Sequence, residues 1–168
     1  MTSTERQNAG LKGRVSARSQ PMFHRVLAAR PGTVRDTLIE IRKRFCSEVS
    51  DDTLGRLELV LAEVMNNVAE HAATQLGAPD RSQIPSIHLS IVLHESGLAC
   101  AITDDGVALP ANCVLPRGLP IIDTEDLPEG GFGWYLIQDL TQALCYYREG
   151  NRNFLAFSVP FLHRATNP

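Results

Sequence analysis

Between Leu57 and Leu93 the spacing of apolar residues changes from helical to alternating, and that change rules out most folds. Leu57, Leu61, Val64, Val68 and Ala72 recur at three- and four-residue steps, the mark of an amphipathic helix with a buried stripe. Beyond Gly77-Ala-Pro-Asp80, Ile87, Leu89, Ile91 and Leu93 alternate with His88, Ser90 and His94, which describes a half-buried strand. Glu95-Ser-Gly97 then turns the chain, and Leu98 to Thr103 returns as a partner strand. A helix followed by a hairpin places strands side by side in antiparallel pairs, with the helix covering one face.

The rest of the chain extends this pattern. Met22 to Ala29 suits a first strand, closed by Arg30-Pro31-Gly32. Thr33 to about Val49 has helical spacing at Val34, Leu38, Ile41 and Phe45, and Ser50-Asp51-Asp52 supplies N-cap chemistry for the next helix. After a loop-rich stretch with Pro110, Pro116, Pro120 and Pro128, a helix is expected from about Trp134 to Gln142. Leu144 to Arg148 and Asn153 to Val159 then form a closing hairpin around Glu149-Gly150-Asn151. The expected architecture is α+β: a two-layer sandwich, its mainly antiparallel mixed sheet carrying helices on one face. The expected division is a polar tail at 1–20, one domain at 21–162 and a short tail at 163–168.

Composition narrows the function. The 168 residues suffice for one domain with a real core and hardly for two. A net charge of -3 gives no electrostatic reason to expect nucleic-acid binding. No apolar run approaches a membrane span, and the N-terminus lacks the apolar core of a signal peptide. Cys46, Cys100, Cys113 and Cys145 form no C-x-x-C pair and read as reduced thiols of a cytoplasmic protein.

Three motifs carry the chemistry. Glu63, Asn67 and His71 stand four residues apart, so they form one stripe of the long helix. That stripe lies about 100° from the centre of the apolar face, on the shoulder of the core. Polar groups there are costly to desolvate without partners, so they line a pocket or form an ordinary polar boundary. Asp104-Asp105-Gly106 ends a buried strand; its first carboxylate can accept a hydrogen bond from a ligand amino group, although Asp-Gly is also a turn signature. Glu129-Gly130-Gly131-Phe132-Gly133 runs directly into a helix, an arrangement that offers backbone N–H groups to phosphate or serves as a hinge. It is neither a P-loop nor a dinucleotide fingerprint, lacking Gly-Lys-Ser/Thr in the one case and a preceding strand in the other. Trp134 and Tyr135 at the head of that helix read as packing residues in preference to ligand stackers. His94-Glu95 superficially matches a phosphoacceptor motif, but it falls on an expected strand and is rejected.

Taken in order, these motifs resemble the GHKL ATPase superfamily with its Bergerat fold. Over roughly residues 22 to 160 the chain looks like the small stand-alone anti-sigma factor serine/threonine kinases. The resemblance implies ATP and Mg²⁺ as cofactors. It makes Glu63 the general base toward a serine hydroxyl and Asn67 the Mg²⁺ ligand. His71 is then a supporting residue, Asp104 the adenine-amine acceptor and Gly106 a shaper of the base pocket. Gly130, Gly131 and Gly133 close over the phosphates, with Arg117 a further phosphate contact, while Arg148 and Arg152 are read as solvated hairpin charges. The implied partners are a sigma factor and a STAS-type anti-anti-sigma protein, with a homodimer possible. Two other functions fit the same motifs: an ATP-binding sequestering module without kinase turnover, and a detached histidine-kinase-like ATPase domain. The chain departs from the family pattern at Ala108, where members often carry glycine or proline.

Overall fold

The computed structural model describes residues 22–75, 84–109 and 132–161. The side chains of Ala72 and Phe132 lie outside that description, as do Gly130, Gly131 and Arg117. In chain order the elements are β1 (Met22–Ala28), α1 (Pro31–Phe45), α2 (Asp51–Gln75), β2 (Ser86–His94), β3 (Gly97–Asp104), α3 (Phe132–Leu140), β4 (Gln142–Glu149) and β5 (Arg152–Pro160). The strands form one sheet in the order β1-β2-β3-β5-β4. Every neighbouring pair among the described residues is antiparallel, so the expected parallel admixture is not found there.

The sandwich follows from alternation. Ile87, Leu89 and Ile91 on β2, Leu98, Cys100 and Ile102 on β3, and Leu155, Phe157 and Val159 on β5 are all buried on one face. Ala99, Ala101 and Ala156 on the opposite face are exposed. The buried face meets Leu54, Leu57, Val60, Leu61 and Met65 of α2, with Val34, Ile41 and Phe45 of α1 completing the core. Burying a side chain of this size contributes about 1.5–3 kcal/mol. The periodic apolar stripe of α2 is thus the inner surface of the helical layer.

Local chemistry sets the helix ends. Pro31 opens α1 where its missing N–H costs nothing, and Arg42, Lys43 and Arg44 meet the negative end of the helix dipole. The helix stops at Phe45, earlier than the expected Val49, because the Phe45 carbonyl accepts from the N–H groups of Glu48 and Val49 in a tight turn. Ser50 then caps α2, its Oγ accepting from the Thr53 N–H at 3.3 Å. Arg42 clasps the two helices together: its Nε and Nη2 donate to the two oxygens of Glu58 at 2.7 and 2.6 Å.

The expected helix at 134–142 is displaced to Phe132–Leu140, because the chain is already a strand at Gln142. The register between β4 and β5 shifts between Gln142 and Cys145, and Ala143 takes a left-handed conformation there, with φ of 53°. The Gly150-Asn151 turn joins β4 to β5 as expected, with Gly150 at φ of 58°, where a side chain would be disfavoured.

Candidate functional site: a cleft between the long helix and the sheet

Asn67 and His71 of the polar stripe on α2 face the space between α2, α3 and the ends of β3 and β5, whereas Glu63 is not among the residues that line it. Asn67, His71 and Asp104 line a single open cleft, together with Val68, Trp134 and Asn153. Trp134 is buried, which bears out its packing role, yet its side chain also forms part of the cleft wall.

Glu63 sits one helical turn from Asn67 and at the start of α3. The Asn67 amide nitrogen donates to Glu63 Oε1 at 3.3 Å. In that orientation the Asn67 amide oxygen is the atom left for another partner. The same Oε1 lies so close to Gly133 that a Cβ there would be 1.6 Å from it and 2.2 Å from Cδ. A side chain at position 133 would therefore have to push the Glu63 carboxylate aside, where α3 begins beside it.

At the far end of the cleft, the two neighbouring acids have different fates. Asp105 is exposed and staples the loop to β2, accepting from the Ser86 N–H at 2.7 Å. Asp104 is buried, and its Oδ1 accepts from the Gly106 N–H and from Asn153 Nδ2, each at 2.8 Å. Desolvation raises the Asp104 carboxyl above the ordinary aspartate range. Its hydrogen bonds from Asn153 and Gly106 oppose that rise, the Asp105 charge adds to it, and Arg148 opposes it. A Cβ on Gly106 would come within 2.9 Å of Asp104 Oδ1 and 3.4 Å of Val68, so the absence of a side chain keeps the turn tight against the cleft.

The loop from Gly106 to Leu109 is held by side chains of the β4–β5 hairpin. Asn153 Nδ2 donates to the Val107 carbonyl at 2.8 Å, and Arg148 Nη1 donates to the Gly106 carbonyl at 3.0 Å. The Leu109 N–H donates to the Tyr146 hydroxyl at 3.0 Å. Ala108, where the family pattern is broken, is exposed, and its neighbours on both sides are anchored. Arg148 is exposed, as expected, but is more than a solvated charge because its tip is bound to this loop.

Sequence motifs alone do not single out Tyr146, Arg148 and Asn153. A signal for Asn153 was present nonetheless. It occupies the inward phase of β5, in line with Leu155, Phe157 and Val159, and a polar residue at such a position requires a buried partner. Among the described residues no group of three or more His, Cys, Asp or Glu side chains could hold a metal ion. A lone amide oxygen at Asn67 fits an ion held largely by phosphates and water, as Mg²⁺ commonly is, and does not fit an all-protein cage.

The family model for a histidine kinase-like ATPase domain matches residues 27–159, and the chain belongs to that family. Membership carries ATP binding with it, and with that an ATP-dependent phosphotransfer or ATPase activity. No curated protein matches the chain. No helix among the described residues is long and apolar enough to cross a membrane.

Proposed function

We propose that the chain is an anti-sigma factor with Mg-ATP-dependent serine/threonine protein kinase activity, which sequesters a sigma factor and phosphorylates a STAS-type anti-anti-sigma protein. The observation that carries this reading is the contact of Glu63 with both Asn67 and Gly133. It puts a carboxylate, a hard oxygen ligand and a helix start together beside a cleft that Asn67 and Asp104 both line.

In this reading the adenine amino group donates to Asp104, and the phosphates run toward the start of α3, where the helix dipole favours negative charge. Gly130 and Gly131 belong to the same phosphate-binding segment as Gly133. Bound Mg²⁺ supplies neutralisation of phosphate charge, with the Asn67 amide oxygen as its protein ligand. Glu63 takes the proton of the attacking serine hydroxyl as its oxygen bonds to the γ-phosphorus, and ADP departs with the electrons of the broken bond. Positioning and charge neutralisation carry most of the rate in such transfers. His71 lines the cleft and supports it without taking part in proton transfer. The cytoplasm, where sigma factors work, is the corresponding location, and a homodimer joined through an exposed sheet edge is part of the same proposal.

The test is incubation of the chain with labelled ATP and a STAS-domain partner. Label on a serine or threonine of the partner supports the kinase. Nucleotide-linked partner binding with no phosphoprotein would replace it with a sequestering module.

A further inference from the structure

The carboxylate of Asp104 is engaged on one side only. Oδ1 accepts both of its hydrogen bonds, from Gly106 and Asn153, and none found among the described residues reaches Oδ2. Asn153 is fully committed. Its Nδ2 donates to Asp104 Oδ1 and to the Val107 carbonyl, both at 2.8 Å. Its Oδ1 accepts from the Tyr146 hydroxyl at 2.9 Å and from Arg148 Nη1 at 2.6 Å. These four bonds use both amide hydrogens and both oxygen lone pairs. A flipped amide would turn its oxygen toward the Asp104 carboxylate and the Val107 carbonyl, and its hydrogens toward the Arg148 guanidinium. The network therefore permits one orientation.

We propose that Asn153, oriented by Tyr146 and Arg148, is a positioning residue that sets base selectivity. By occupying Asp104 Oδ1 it leaves Oδ2 as an acceptor for a ligand in the cleft, so the site takes a 6-aminopurine nucleotide and rejects a 6-oxopurine one. This rests on the nucleotide-site reading given above. A 6-amino group donates to the free oxygen; a 6-oxo group sets acceptor against acceptor and leaves a buried polar group unpaired, which sites of this kind discriminate strongly. Replacing the Asn153 amide with a carboxyl would remove both donors and set a second carboxyl against Asp104, so that Asp104 takes up a proton more readily. A protonated Asp104 could then donate to a 6-oxo group.

The experiment is calorimetric binding of ATP and of inosine triphosphate to the full chain and to Asn153→Asp, between pH 6 and pH 8. The native chain should prefer ATP by roughly 100-fold or more, with little pH dependence. Asn153→Asp should bring that preference below about tenfold and make it vary with pH. A merely structural defect would weaken both nucleotides alike and leave the ratio unchanged, and that result overturns the proposal. If circular dichroism shows that Asn153→Asp does not fold, Tyr146→Phe combined with Arg148→Met carries the test. That pair keeps Asn153 but strips the donors from its oxygen, so the amide is held only through the bonds of its Nδ2 and can move off Asp104 Oδ1, and it should lower the ratio; an unchanged ratio again overturns the role. Failure of the native chain to bind either nucleotide would sink the nucleotide-site reading itself. Equal binding of both by the native chain would sink only the selectivity assigned to Asn153.

Discussion

Glu63 and Gly133 touch so closely that not even a methyl group fits between them. The carboxylate end of a long side chain can swing away, so Gly133→Ala need not unfold the protein. It would displace Glu63 from the start of α3. The expected outcome is a fall in phosphoryl transfer of about 100-fold or more, since small misplacements of reacting groups are costly. ATP affinity should change only severalfold. Parallel measurement of turnover and nucleotide binding checks this; transfer within twofold of the native rate would show that the contact has no catalytic meaning.

The buried Asp104 leads to a prediction about pH. Its carboxyl is raised by desolvation above the ordinary 3.8, so it takes up a proton at a higher pH than an exposed aspartate. Only the ionised form accepts at both oxygens. ATP affinity should therefore decline on acidification, beginning above the pH at which an exposed aspartate titrates. A titration of affinity against pH with no decline until an ordinary aspartate range would contradict the assignment.

The same shift bears on stability, with the opposite sign. A carboxyl whose folded value is raised contributes most to stability below its unfolded value, and that contribution is lost as pH rises through the folded one. At neutral pH the charge on Asp104 is thus a cost. Asp104→Asn keeps an oxygen for Gly106 and Asn153 and removes the charge, so its Tm at pH 7 should equal or exceed the native value while ATP binding is lost. Thermal melts beside binding isotherms decide this, and a Tm several degrees lower would count against it.

Much of this arrangement was legible in the residues. The periods of α2, β2 and β5 indicated the layers, because burial on one face leaves a regular trace in apolar spacing. The stripe of Glu63, Asn67 and His71 and the strand-end Asp104 pointed to the cleft that Asn67, His71 and Asp104 share. Less visible were the edges of elements. The stop of α1 at Phe45 depends on a local turn, and the early start of β4 on a register shift carried by Ala143. The anchoring of the 106–109 loop was hidden because Tyr146, Arg148 and Asn153 lie about forty residues further along the chain. Spacing rules describe neighbours on one element, and these contacts join two separate hairpins.

The two leucines flanking Val60 on α2 provide a test of the fold that is independent of function. Leu61 is fully buried, whereas Leu59 is 53% exposed. Leu61→Ala should destabilise the domain by about 2–5 kcal/mol through lost burial and a residual cavity. Leu59→Ala should change stability by less than about 0.5 kcal/mol. Urea denaturation of both variants checks the phase of the helix, and similar losses at both positions would contradict it.

The central claim, that Glu63 is the base of a protein kinase, is tested most directly by single-turnover phosphoryl transfer to a STAS-domain partner with native protein and Glu63→Ala. The native protein should label a serine or threonine of the partner. The variant should lose roughly 100-fold or more of that rate while binding ATP nearly as well. Undiminished transfer by Glu63→Ala would contradict the account.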